Sequence, residues 1–149
     1  MNRKTVKYSF FILLTIALMG TVIAWREFNR KIPDTAGRPS AFQLKAMDLI
    51  DSFSKNQQQA SGRYLDKVIE VDGAVRKVEK DEQGNYTVIL ADQGTMSAVR
   101  CSFDSAHLME ASRLKAGEIV TLKGVCTGFN QDDLLGSDVI MNRCAVSLK

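Results

Sequence analysis

At 149 residues, with 45% hydrophobic and 25% charged side chains, the chain has room for one ordinary domain plus an attachment, and its composition excludes a disordered or fibrous protein. Its formal net charge of +3 is local: six of the 20 Lys/Arg precede residue 34, and from Asp34 onward 14 basic side chains stand against 16 acidic ones, a net of −2. The acidic domain argues against a polyanion partner, and the basic N-terminus suits an anionic lipid surface.

The first predicted element is apolar. Tyr8 to Trp25 (YSFFILLTIALMGTVIAW) is an uncharged run of 18 residues. As a helix it extends roughly 27 Å, close to the thickness of a hydrocarbon core. Arg3, Lys4 and Lys7 precede it, and Tyr8 and Trp25 end it where amphipathic rings favour the headgroup region. Residues 1–7 therefore read as a basic cytoplasmic terminus and 8–25 as a transmembrane anchor held by membrane lipid. A cleaved signal peptide is the alternative, with Val22-Ile23-Ala24 as its cleavage site. A charged start before a first hydrophobic segment predicts export of the chain beyond that segment. The expectation is a single-pass inner-membrane protein with its domain in the periplasm, although Arg26, Arg30 and Lys31 also place positive charge after the segment.

Residues 26–39 hold both prolines and read as a linker. Ser40 and Gln43 have capping-box spacing, and Phe42, Ala46, Leu49, Ile50 and Phe53 form a helical stripe, so a helix is predicted over 40–60. From Tyr64 the period becomes two. VIEVDGAVRKV, YTVILA (86–91) and Met96 to Phe103 are predicted strands separated by polar turns. Asp104 caps a predicted helix over 105–114. Ile119 to Gly128 and Val139 to Leu148 are the last two strands. The predicted fold is mainly β with helices: an N-terminal transmembrane helix, then a helix and a five-stranded OB-fold Greek-key barrel in the order β-β-β-α-β-β over 40–149.

The last two strands carry two of the three cysteines. If they pair about Leu135, Cys126 faces Cys144, at the Cα spacing of about 4.5–5.5 Å that a disulfide accepts. An oxidising compartment favours such a bridge, which would close a loop worth roughly 3 kcal/mol. Cys101, inward on the third strand, offers Cys101–Cys144 as a competitor, and three buried free thiols is the plain alternative. No C-x-x-C is present and the one histidine, His107, lies on a separate helix, so neither a zinc site nor a thioredoxin-like pair is indicated. Asp132, Asp133 and Asp138 lack the spacing of a calcium loop. His107 and Glu110 are an acid and a base three apart, a pairing common on surfaces. No metal, cofactor or catalytic constellation is indicated.

YLDKVIEVDGAV, VRCSF, LKAGEIVTLKGVCTGF and DVIMNRCAV together resemble the bacterial tRNA-anti-like OB-fold family over about residues 40–148. The resemblance implies an OB fold with an N-terminal signal or anchor, and no catalytic residues. OB folds bind on the exposed side of their second and third strands and the adjoining loops, here those around residues 80–85 and 129–138, and Tyr86, Arg76, Lys77, Arg100 and Phe129 are the candidate face residues. The expected function is a non-enzymatic, membrane-tethered binding module for an envelope protein or small ligand. Single-stranded nucleic acid is the alternative, disfavoured because Glu70, Asp72, Glu79, Asp81 and Glu82 are interspersed among the cations.

Overall fold

A computed structural model describes residues 3–28, 34–132 and 136–147, with side chains from residue 15 onward. The chain divides into two units, Met1–Pro33 and Asp34–Lys149. The first holds one continuous helix, α1 (Arg3–Phe28). Among the described residues no helix is long and apolar enough to cross a membrane. The side chains of residues 8–14 of the predicted anchor, those of the predicted terminus 1–7, and residues 29–33 of the predicted linker lie outside the described residues.

The second unit is built on a closed five-stranded barrel. Its strands are β2 (Val68–Lys80), β3 (Tyr86–Leu90), β4 (Ala98–Phe103), β5 (Ile119–Asp132) and β6 (Gly136–Val146). The ladder runs β2-β3-β4-β6-β5 and closes where β5 returns to β2. All these pairings are antiparallel except β4 with β6, whose parallel pairing makes the connection a Greek key. A 3₁₀ turn (Ser105–His107) and α4 (Leu108–Arg113) lie between the third and fourth barrel strands, and Asp104 caps the turn by accepting from the Ala106 N–H.

Alternation decides what enters the barrel. One inner row runs Val75, Leu90, Val99, Val139 and Phe129 across all five strands, and the next runs Val78, Val88, Cys101, Met141 and Cys126. Except for Val78 and Phe129, which are half-buried, these side chains are fully or almost fully buried. At 2% exposure or less, each contributes roughly 1.5–3 kcal/mol of burial for a Val-to-Met-sized group.

The helix predicted over 40–60 is resolved into three pieces: β1 (Phe42–Lys45), α2 (Ala46–Lys55) and α3 (Gln57–Tyr64). The Ser40/Gln43 capping box is not used. Phe42 and Leu44 instead alternate as half-buried positions of a short parallel strand beside Ile69 and Val71. Helix α2 starts after Lys45, which makes no side-chain cap, and α3 starts at Asn56, whose side chain accepts from the Gln59 N–H. The predicted stripe is real from Ala46 onward: Leu49, Ile50 and Phe53 are buried and join the barrel core. Gly73 makes room for this start. A Cβ there would lie 3.1 Å from the Ala46 Cβ and 3.2 Å from the Leu90 Cβ.

Candidate functional site

Three strand irregularities shape the outer surface. Between Val75 and Lys77, β2 carries one extra residue against β3, and that residue is Arg76. A bulge turns a side chain out of the regular alternation. The Arg76 guanidinium accordingly reaches the loop after β3, donating to the Ser97 carbonyl at 3.2 Å and to the Thr95 carbonyl and hydroxyl. Beyond the bulge the outward row is Lys77, Ile89, Arg100, Ile140 and Gly128, one residue from each barrel strand.

This outer face is both apolar and charged. Ile89, Ala91 and Ala98 form a small buried cluster of their own, on the side of the sheet opposite the main core. Met96, 65% exposed, stands at its rim. Ile89, Ala98 and Met96, with Arg76, Arg100, Asn130 and Asp138, line a groove of about 430 Å³. The cations are internally paired. Lys77 Nζ lies 2.9 Å from Glu79, and Arg100 Nε donates to Asp138 at 2.6 Å while its terminal nitrogen lies 3.7 Å from Glu79. The Lys77 hydrogen bond foremost, and then the charges of Lys77 and Arg100, hold the Glu79 carboxyl below the usual range, and the Asp138 hydrogen bond raises the Arg100 pKa further.

Of the predicted face residues, Arg76, Lys77 and Arg100 are brought together here. Tyr86 and Phe129 are not. Tyr86 alternates with Val88 and Leu90 and packs against the main core, with Lys80 Nζ 5.5 Å from its ring centre. Phe129 stacks on Phe53 of α2, ring centres 4.9 Å apart and 15° between planes. Both aromatics are therefore half-buried supports of the barrel rather than exposed stacking platforms. Sequence reasoning missed Ile89, Ala98 and Ile140. The signal was in YTVILA, where both alternating sets are apolar, the mark of a strand with two covered faces.

The predicted facing of Cys126 and Cys144 is not formed. Cys126 lies opposite Met141, and Cys144 lies beside Phe103. The hairpin centre falls one residue earlier than Leu135, since Asp132 pairs with Gly136, and two bulges move the register between. One bulge holds Thr127 on β5 and the other Arg143 on β6, whose φ of 52° is left-handed. All three cysteines are free and buried, and Cys144 shares a hydrogen bond with Cys101. Burial pushes the Cys126 thiol up to about 11 and Cys144 well above its ordinary value. Thiolate is the reactive form, so Cys126 and Cys144 are inert at neutral pH. We expect maleimide to label none of them in the folded protein and all three after denaturation without reductant, read as three mass additions. A native bridge would leave one.

Asp138 of the predicted acidic loop is committed to Arg100, and residue 133 lies outside the described residues. Among the described residues no cluster of His, Cys, Asp or Glu has the grouping of a metal site.

Comparison with known proteins agrees with this architecture. No curated protein matches the chain. Among solved structures, a protein from Klebsiella pneumoniae described as a "putative nucleic acid-binding lipoprotein" is similar at a TM-score of 0.57 and 21% identity, covering 74% of this chain and all of that one. A structure described as "OBody NL8 bound to hen egg-white lysozyme" aligns at a TM-score of 0.39 and 16% identity over 55% of this chain and 96% of that one. The family model described as tRNA_anti-like matches residues 1–144. The chain belongs to the tRNA_anti-like family, with the OB fold that the barrel displays.

Proposed function

We propose that the chain is a membrane-tethered, non-enzymatic binding module that presents its barrel outside the cytoplasm and takes an envelope protein or small ligand on the outer face of β2, β3, β4 and β6. One observation carries the reading. A barrel interior already holds the main core, yet a second apolar cluster of Ile89, Ala91 and Ala98 sits outside it, beside exposed Met96 and a groove of about 430 Å³. The cluster itself is covered, so the apolar surface offered to a ligand is Met96 at the groove's rim, and the convergent polar groups around it are what a binding site requires.

The tether is supported by α1. Thr21, inside its apolar stretch, turns its hydroxyl back to the Leu18 and Ala17 carbonyls at 2.8 and 3.1 Å. Hydrocarbon demands that polar groups be satisfied within the helix. From residue 15 to Trp25 the helix carries no charge, and Ile16, Leu18, Met19, Val22 and Ile23 are all exposed. A helix apolar all round needs a non-aqueous surrounding.

The pairing of Lys77 and Arg100 with Glu79 and Asp138 leaves little free positive charge for phosphates, which favours a protein or neutral ligand over a polynucleotide. Nucleic acid is the second reading, because the Klebsiella protein of the same fold is described as binding it.

A photo-crosslinking residue at Arg100 of the full chain, expressed in its membrane, is expected to give a discrete adduct that Ile140→Asp abolishes while the β-sheet circular dichroism is kept. Loss of neither adduct nor fold on Ile140→Asp would remove this face from the reading. In the same series, binding of a single-stranded oligonucleotide at about 50 mM salt that falls steeply by about 200 mM would establish the nucleic-acid reading in its place.

A further inference from the structure

The first residues of the barrel unit are held down by side chains from the far end of the sequence. The Asp34 carboxylate accepts from its own loop at the Ala36 N–H (3.0 Å) and meets His107 Nε2 at 2.9 Å. The other ring nitrogen, Nδ1, meets Glu110 Oε1 at 2.9 Å, and Glu110 Oε2 accepts from the Val146 N–H at 3.1 Å, which fixes the carboxylate on β6. His107 is largely enclosed, with 14% of its side chain exposed. A second hold comes from β5. Lys123 Nζ, paired with Glu70 at 3.0 Å, donates to the Arg38 and Ala36 carbonyls at 3.2 and 3.4 Å.

The imidazole contacts decide a protonation state. A neutral ring has one N–H and one lone pair, so it can donate to only one of two carboxylates and must present its lone pair to the other. With a carboxylate oxygen 2.9 Å from each nitrogen, both contacts are attractive only when both nitrogens carry hydrogen. The charged groups that meet the ring are Asp34 from the strap and Glu110 from α4. β6 contributes the Val146 amide, through Glu110, and β5's Lys123, paired with Glu70 of β2, donates to the strap carbonyls.

One buried group opposes docking. Thr35 is 1% exposed, and among the described residues its hydroxyl has no hydrogen-bond partner. Enclosing an unsatisfied hydroxyl is unfavourable, so the contacts of His107 and Lys123 must offset it for the strap to stay down.

We propose that His107, charged between Asp34 and Glu110, is a pH-gated latch that holds residues 34–38 on the barrel and releases them when it gives its proton to solvent. Glu110 first, and Asp34 with it, raise the His107 pKa above its ordinary 6.5. A raised folded-state pKa means the contribution is complete below the free value and is lost as pH rises through the bound one. The Asp34 pKa is lowered from 3.8, mainly by the Ala36 N–H and then by His107, so the latch also opens in strong acid, as pH falls through that lowered value. On the tethered reading proposed above, release hands residues 34–40 to the linker. That is up to roughly 24 Å of added reach before Ala41, whose N–H is bound to the Val68 carbonyl. The latch itself does not depend on the tether.

Amide hydrogen exchange on the full chain in detergent micelles, from about pH 5 to about pH 9, tests it across the imidazole range. Protection factors at Ala36 and Arg38, corrected for intrinsic rates, are expected to fall about tenfold for each unit by which His107's pKa is raised, while Val88 in the core keeps its protection. His107→Gln should give weak, pH-independent strap protection with the core unchanged. Thr35→Val should raise strap protection at every pH. Flat wild-type strap protection across the range, or a His107→Gln protein with the wild-type profile, would overturn the latch. Failure of the full chain to pellet with lipid vesicles would instead count against the tether and leave these profiles unaffected.

Discussion

Replacing Phe53 by alanine should destabilise the barrel by about 3–5 kcal/mol, the range for emptying a buried aromatic position. Phe53 is 1% exposed and belongs to α2, the helix whose Leu49, Ile50 and Phe53 join the core. Its ring stacks on Phe129 and lies 6.0 Å, centre to centre, from Tyr64 at the end of α3. Removing it therefore unpacks α2, the end of α3 and the final hairpin together. Domains of this size are stabilised by only about 5–15 kcal/mol in total, so the variant should be close to unfolding at body temperature. Phe53→Leu keeps most of the volume and should cost less than half as much. Denaturant unfolding followed by β-sheet circular dichroism measures both. A double-mutant cycle with Phe129→Ala should show a coupling of about 0.5–1.5 kcal/mol for the stacked pair. A Phe53→Ala loss under about 1 kcal/mol would mean that α2 does not close the barrel.

The strand order is readable from the sequence because period-two alternation is a local signal with little competition. VIEVDGAV and VRCSF lie within β2 and β4, YTVILA covers β3 and one residue more, the last two predicted strands fall mostly in β5 and β6, and Asp104 caps the turn that separates β4 from β5. The segment 40–60 is less readable, because the residues Phe42, Ala46 and Leu49 fit a helical stripe and Phe42 and Leu44 also fit a strand. The parallel partner at Ile69 and Val71, nearly 30 positions away, decides between them, and local periodicity carries no information about that partner. Asn56 splits the helix at a place where only its polar cap announces a boundary.

The candidate face is half readable. Arg76, Lys77 and Arg100 share it, but Arg76 does so through a bulge whose position no alternation pattern reveals. The chemistry of Tyr86 suggests an outer position, and its parity with Val88 and Leu90 puts it inside. The charge balance is readable in a coarser form: carboxylates interspersed among cations become the specific pairs Lys77–Glu79 and Arg100–Asp138. His107 and Glu110 look in the sequence like a chance surface pair. What gives them consequence is Asp34, 73 positions from His107, arriving at the other ring nitrogen.

Gly124→Val is expected to cost more than about 3 kcal/mol, beyond the usual range for a single overpacked position. A Cβ on Gly124 would lie 2.5 Å from the Cys144 sulfur, 3.2 Å from the Met141 methyl and 3.3 Å from the Asn142 carbonyl oxygen. The last of these is backbone and has no rotamer to adopt. The crowding follows from the turn position: Asp132 pairs with Gly136 and Leu122 with Val146, so the Thr127 and Arg143 bulges cancel and Cys144 comes over Gly124, where a hairpin centred on Leu135 would set it against Cys126. A cycle separates the two registers. Gly124→Ala alone should be destabilising by about 1–3 kcal/mol, and Cys144→Ala alone should lose a smaller amount through the cavity it leaves. Combined, they should be more stable than Gly124→Ala by itself, because the sulfur that meets the new methyl is gone. Cys126→Ala should give no such rescue, since Cys126 lies opposite Met141. Rescue by Cys126→Ala in place of Cys144→Ala would restore the hairpin centred on Leu135, and with it the facing pair of cysteines that the earlier turn separates.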